Sequence, residues 1–374
     1  MKKYILTIFI SILVLFCIIY PESMISSTKS ALTLWATVIV PSLFPFMILS
    51  NLIQQTAVPF ILGKTLSPLM NIIFSLPGIS SLAIILGMTG GYPIGAKVTS
   101  DLLKETSITK QDANHLITFV NNAGPLFMLG AIGIGIYKNI YVGILLLISH
   151  YLSALFIGFI SKFIKKKDNE NNHNNSQISF NVLKLSDIGT VLNETIKKSI
   201  DIILNIGGFI ILFSIISSLI EKTKILSFIG SIIFPTLEIE TSNAISIGLL
   251  EVTNGVNKIA TINNISLLQK LIITSILLGF GGMSIHFQTL SIISKTDISF
   301  LKYILGKTFQ GILSGLITYL LTTYTKFSQL IPLKAFNSFS NNSIEFLQIL
   351  NTMLAFFMFI VLFKLLQIIL HTKH

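Results

Sequence analysis

An all-α polytopic membrane protein is the fold class this chain predicts, and three observations predict it. Of its 374 residues 52% are hydrophobic and 11% charged, with 28 Phe and a mean hydropathy of +0.80. That much apolar surface exceeds what a soluble domain can hide, so a large share must face lipid. Apolar runs recur that are long enough to cross a hydrocarbon core, which is roughly 30 Å thick and takes about 20 helical residues. Between them lie further apolar stretches broken by Gly, Pro and Asn, and broken backbone at membrane depth is tolerated only inside protein or along a wet cavity.

The first run, residues 4–20, follows Met1-Lys2-Lys3 and has the charged start and apolar body of a secretory leader. It lacks a small-residue cleavage site and more apolar segments follow, so it is expected to remain as a first helix. Cys17 within it is the single cysteine, which excludes disulfides and cysteine metal sites. Segment 31–53 holds Trp35, an interface anchor or packing residue, and PSLFPF at 41–46, where Pro41 and Pro45 predict a kink. Further spans are expected at 139–163, 200–220, 299–324 and 344–370. The interrupted stretches are 59–76, 79–99, 114–136, 225–237, 243–259 and 265–293, and these are candidates for the interior. Residues 165–177, KKKDNENNHNNSQ, are polar and asparagine-rich, which predicts a flexible tether. Its His173 is a solvated residue rather than a ligand, since one His without partners makes no metal site.

All 26 basic residues are lysine, and the formal charge is +11. A pI near 9.6 ordinarily suggests nucleic acid, but these lysines are dispersed or flank apolar segments, which fits membrane-flanking charge. By the positive-inside tendency, the N-terminus, the lysines at 165–167 and the C-terminus lie in the cytoplasm. Lys326 and Lys334 then fall on the outer side, against the tendency.

The chain repeats weakly across the tether. Residues 108–125 lie over 265–282 with Ile, the polar second residue and small terminal residues in register, and a slightly larger offset places Gly87 over Gly248 and Lys97 over Lys258. A first half that leaves the cytoplasm and returns at the tether makes an odd net number of crossings, so an equal second half is inverted. Inverted repeats with paired interrupted segments point to a secondary transporter whose site lies where the halves meet.

GMTGGYPIGAK, 87–97, is the sharpest of the interruptions. Gly90, Gly91 and Gly95 permit close backbone approach, Tyr92 stands beside them, and Pro93 ends regular helix. A helix restarting near Ile94 would aim free N–H groups at an anion. The second half offers GLLEVTNGVNK, 248–258, with its break expected at Asn254-Gly255. A second pair, FVNNAGPLF (119–127) and GFGGMSIHFQT (279–289), supplies Asn121, Asn122, Gly124, Gly281, His286 and Gln288. The amides donate and accept, which suits a solute with ring nitrogen and carboxylates. Lys97 and Lys258 form a pseudo-symmetric pair able to neutralise a dianion, and Glu251, costly in an apolar stretch unless paired, is the ion-coupling candidate. Each has a plainer alternative. Lys97 with Asp101 at i+4 is a common helical ion pair, Lys258 can snorkel to a headgroup, and His286 can serve as a buried contact between helices. His115 and His150 are read as structural or interfacial.

No HExxH, GxSxG, Walker loop or strand-to-helix GxGxxG occurs, so neither an enzyme nor a nucleotide-driven pump is expected, and no cofactor or metal is. At PSLFPF (41–46), GYPIGAK (91–97), FVNNAGPLF (119–127), EVTNG (251–255) and FGGMSIHFQ (280–288) the chain resembles the sporulation integral membrane proteins of the YlbJ type, also called the stage V sporulation protein V family, over about residues 30–325. That family is built from nucleoside-recognition "gate" domains, similar to parts of concentrative nucleoside transporters. The resemblance implies a role in endospore formation, in which dipicolinate (pyridine-2,6-dicarboxylate) crosses the mother-cell-derived outer forespore membrane. The expected organisation is an N-terminal helix (1–30), a first gate-like repeat (31–164), a cytoplasmic linker with an amphipathic segment (165–198), a second gate-like repeat (199–326), and a loop with a C-terminal helix (327–374). Expected partners are a small anionic solute and membrane lipid, not nucleic acid, with a homo-oligomer or other sporulation membrane proteins left open. The other readings are a carrier of nucleosides or other small organic anions and, in a different class, a non-transporting scaffold of the forespore envelope.

Overall fold

The computed structural model describes residues 2–164, 188–223 and 237–324, with isolated residues between 224 and 236. The tether at 165–177, Lys326, Lys334 and the span expected at 344–370 lie outside the described residues. Among the described residues every regular element is helical. The order is α1 (Lys2–Ile19), α2 (Pro21–Leu34), a π-helical turn (Trp35–Ile39), α3 (Val40–Gln54), α4 (Val58–Phe74), α5 (Ser81–Gly90), α6 (Ile94–Lys104), α7 (Lys110–Leu116), a π-helix (Phe127–Ile136), α8 (Ile140–Ile164) and α9 (Ile188–Lys222). It continues with α10 (Ile239–Leu250), α11 (Val252–Thr261), α12 (Leu267–Phe280), α13 (Gly282–Ile293) and α14 (Phe300–Tyr324).

Four spans among the described residues are long and apolar enough to cross a membrane: α8, α9, α12 with α13, and α14, or up to six if two sharply bent pairs near the N-terminus each count as one. Side chains such as Ile72, Phe163, Ile164 and Leu204 remain exposed, as a lipid-facing surface requires. The composite span Leu267–Ile293 is the innermost, with 83% of its apolar window buried. It is clamped to α14 by small and hydroxyl residues. Ser275 Oγ lies 2.7 Å from Ser314 Oγ, and Thr318 donates to Ser275 over 2.8 Å. Small residues and hydroxyl bonds are what hold helices together where lipid offers no hydrophobic contrast.

The interruptions fall largely where they were expected. The α5–α6 pair breaks at Gly91-Tyr92-Pro93, helix resumes at Ile94, and the Tyr92–Pro93 peptide is cis. Irregular backbone joins α7 to the π-helix around Asn121–Gly124, and α12 passes to α13 through Gly281 at φ 96°. Two expectations need correction. The second-half break is at Glu251, in extended backbone at φ −140° and ψ 112°, not at Asn254-Gly255. Gly255 stays helical because its bare Cα faces α10, where an added Cβ would sit 2.1 Å from Gly248 Cα. Segment 59–76 is largely one helix, α4, which runs through Pro68. The amphipathic segment expected up to 198 and the span expected at 200–220 are joined in α9, a 35-residue helix. PSLFPF remains helical, preceded by the π-helical turn, whose wider winding accommodates a proline that lacks its N–H. Trp35 is a packing residue there, donating from Nε1 to Ile203 O over 3.0 Å.

Both halves follow the same order: a broken pair, a loop, a helix with a reciprocal cap, a second break, and a 25-residue closing helix. The caps are Thr109 with Asp112 and Ser266 with Gln269, each side chain bonding the other residue's backbone N–H.

Candidate functional site

Two neighbouring features occupy the middle of the bundle. The first is a narrow cavity of about 50 Å³, or about 520 Å³ with the open space of its mouth included. The first half lines it with Leu43, Tyr92, Gly124 and Phe127, and the second with Ile206, Ile210, Glu251, Val252, Ser284 and Gln288. Thr253 lines both this cavity and a wider groove bounded by the π-helix, Asn254 and Asn257. Four of the residues singled out from sequence, Tyr92, Gly124, Glu251 and Gln288, therefore meet on one wall-to-wall space between the halves.

Among the described residues Glu251 is the single charged one on the cavity lining, and it is 3% exposed. Its carboxylate accepts from Thr253 N at 3.1 Å and Asn254 N at 2.7 Å, capping α11. The helix start thus meets a carboxylate of its own chain, the favourable arrangement for that end of a helix dipole. No side chain caps α6, whose Ile94 N bonds Gly91 O at 2.9 Å. Gln288 donates to Ser284 Oγ over 3.3 Å, and both residues line the cavity. Gly91 serves a second purpose: at φ 80° it abuts Gly124, and a Cβ there would lie 2.9 Å from Gly124 N.

The second feature lies behind Tyr92. Lys307 on α14 is fully buried, and its Nζ donates to Asn121 O at 2.8 Å and to Gln310 Oε1 at 2.6 Å. The same Nζ stands 5.4 Å from the centre of the Tyr92 ring, a cation–π distance. Gln310 Nε2 donates to Asn122 Oδ1 at 2.8 Å and to His150 O at 3.3 Å, while Ala123 N donates to His150 Nε2 at 3.1 Å. On the other side Asn121 Nδ2 donates to Thr289 Oγ1 at 3.0 Å and Tyr303 OH at 3.3 Å, and His286 Nδ1 is 3.2 Å from Tyr303 OH. Asn121 Oδ1, His150 Nδ1 and His286 Nε2 are buried and have no hydrogen-bond partner among the described residues.

Asn121, Asn122 and His286 are thus brought together around a lysine rather than onto the cavity surface. Lys97 and Lys258 are placed differently. Lys97 Nζ is 2.7 Å from Asp101 Oδ2, and the partly exposed Lys258 Nζ is 2.6 Å from Glu221 Oε1, so each faces a carboxylate of the chain. Near the first pair, partial burial and then the charge of Asp101 hold the Glu105 carboxyl above its ordinary range. Asn254 donates to Ser214 Oγ over 3.2 Å at the groove, and Gly281 forms the α12–α13 turn. His115 is structural, its Nε2 bonding Gly158 O at 2.8 Å. Lys307, Gln310, Tyr303 and Thr289 were not foreseen: the first three lie in the span expected at 299–324, whose helix runs unbroken through Gly306 and Gly311, and Thr289 closes GFGGMSIHFQT. The available signal was a lysine well inside the apolar span 299–324, where a charge is expensive and marks the interior of a bundle.

Comparison with known proteins gives a relative of matching kind. The chain is 33% identical over 320 residues to the sporulation integral membrane protein YlbJ of Bacillus subtilis (strain 168), covering 81% of this chain and 78% of that protein. No family model matches, and no solved structure does.

Proposed function

The chain belongs to the family of the sporulation integral membrane protein YlbJ, and from that premise we propose that it is a non-enzymatic carrier that moves dipicolinate across the outer forespore membrane during endospore formation. The observation that carries this reading is the cavity between the halves, reached by broken helices from both sides and lined by Tyr92, Gly124, Glu251 and Gln288. A structural anchor has no use for irregular backbone at that depth, whereas a site must expose polar backbone to its ligand. The matching order of elements on either side of the tether supports two gate-type repeats in inverted orientation, as in concentrative nucleoside transporters.

In this reading a ligand carboxylate occupies the uncapped start of α6, where N–H groups and the helix dipole favour an anion. Glu251 supplies the coupling site. A carboxylate buried beside an entering dianion raises the free energy of both unless it takes up a proton or cation, so movement of the anion and occupancy of Glu251 are linked.

Purified full-length protein in liposomes provides the test, with uptake of labelled dipicolinate measured against uridine. Dipicolinate uptake is expected. Uridine uptake alone would replace the substrate by a nucleoside. Flux of neither, together with mislocalised envelope proteins in a deletion strain, would replace the carrier by a scaffold.

A further inference from the structure

We propose that Lys307 is the counter-charge for a carboxylate of the ligand, and that the Tyr92 ring is the shutter between this ammonium and the cavity. This rests on the carrier reading and names the group within that site that recognises negative charge.

Three observations lead to it. Lys307 has no exposure, yet both acceptors of its hydrogen bonds, Asn121 O and Gln310 Oε1, are neutral. Among the described residues no carboxylate pairs with it, whereas Lys97, Lys110 and Lys258 each have one. A buried ammonium without an anion is a large free-energy cost that a fold retains for a reason other than packing. Next, the Tyr92 ring adjoins both Lys307 and the cavity. Tyr92 lines the cavity and also stands 5.4 Å over Lys307 Nζ. The ring is held by a bond from its hydroxyl to Leu278 O at 2.6 Å, so the shutter has a single polar latch among the described residues. Finally, His286 Nε2, in the network that runs through Tyr303 and Asn121 to Lys307, is buried without a hydrogen-bond partner among the described residues. A planar dicarboxylate with a ring nitrogen brings acceptors only, which match the Lys307 ammonium and an N–H at His286 Nε2. Rotation of Tyr92 from its latch would replace the ring face by a carboxylate oxygen and leave the bonds to Asn121 and Gln310 intact.

The test compares pyridine-2,6-dicarboxylate with its uncharged analogue pyridine-2,6-dicarboxamide, by calorimetric titration into the detergent-purified full chain. Wild-type protein is expected to prefer the dicarboxylate, and Lys307→Met and Lys307→Gln to lower that preference by ~30-fold or more, with dicarboxamide binding little changed. Variants that keep the wild-type preference would overturn the assignment and leave the carrier reading standing. Loss of both ligands alike would give Lys307 a purely structural role and also overturn it. A wild-type protein that binds the two compounds equally overturns it without any variant. Binding of neither compound by wild-type protein would remove the carrier reading for this ligand and this inference with it.

Discussion

The two broken helix pairs cross in the same way and are interrupted differently. At the crossing of α5 with α6, a Cβ on Gly87 would meet Gly95 Cα at 2.9 Å; at that of α10 with α11, a Cβ on Gly255 would meet Gly248 Cα at 2.1 Å. The breaks themselves part company. The second is made by an acidic residue whose carboxylate closes the helix it interrupts, and the first by Gly91-Tyr92-Pro93, which offers backbone and a ring but no cap. Where a plan is used twice, the shared part reports packing and the part that differs reports function. The glycine crossings are scaffold, and the contrast between a filled and an unfilled helix start is what a binding site needs.

Gly91→Val attacks the unfilled break most directly. A β-branched residue at φ 80°, with its Cβ 2.9 Å from Gly124 N, is expected to cost ~3 kcal/mol or more and to abolish transport while membrane insertion persists. Normal uptake by this variant would show that the break has no part in the site. The shared crossings come next: Gly87→Ala and Gly255→Ala both overpack backbone, at Gly95 Cα and at Gly248 Cα, and each is expected to lower stability by ~1–3 kcal/mol in detergent melting experiments. A loss at one crossing only would end the equivalence of the two pairs. Glu251→Gln keeps an acceptor for α11 but removes the ionisable group, so a loss of ~1 kcal/mol in stability is expected, together with uptake that no longer responds to external pH. Unchanged pH response would take the coupling role from Glu251. The smallest effects are expected at Lys97→Gln and Lys258→Gln, partly exposed pairs worth under ~1 kcal/mol, with dipicolinate affinity shifting far less than in the Lys307 variants. An equal loss of affinity would return the counter-charge to these two lysines.

Breaks were legible in the sequence because proline and glycine announce themselves against an apolar background, and the residues beside them, Tyr92, Gly124 and Gln288, came with them onto the cavity. The break at Glu251 was displaced by a few residues, since Asn-Gly is a strong turn signal whenever no partner helix claims the glycine, and here α10 does. The lysine cluster was not legible as a cluster. Asn121, His150, His286 and Lys307 come from four separate segments, and only tertiary packing brings them within bonding distance. Gly306 shows how: a Cβ there would lie 2.3 Å from Thr118 O, so α14 approaches residues 118–121 closely enough for the next residue to reach Asn121 O.

The burial of Lys307 also bears on how the chain is made. Among the four spans α14 is the least apolar, and a lysine at a helix centre adds ~2.5–3.5 kcal/mol against insertion from the translocon. Its acceptors Asn121 O and Asn122 Oδ1, the latter through Gln310, were synthesised nearly two hundred residues earlier. The newborn α14 is therefore a poor passenger alone and a good one once the first half is waiting in the bilayer. Assembly of this protein is expected to run in order, with the last described helix entering the membrane by docking against its predecessors rather than by its own oiliness.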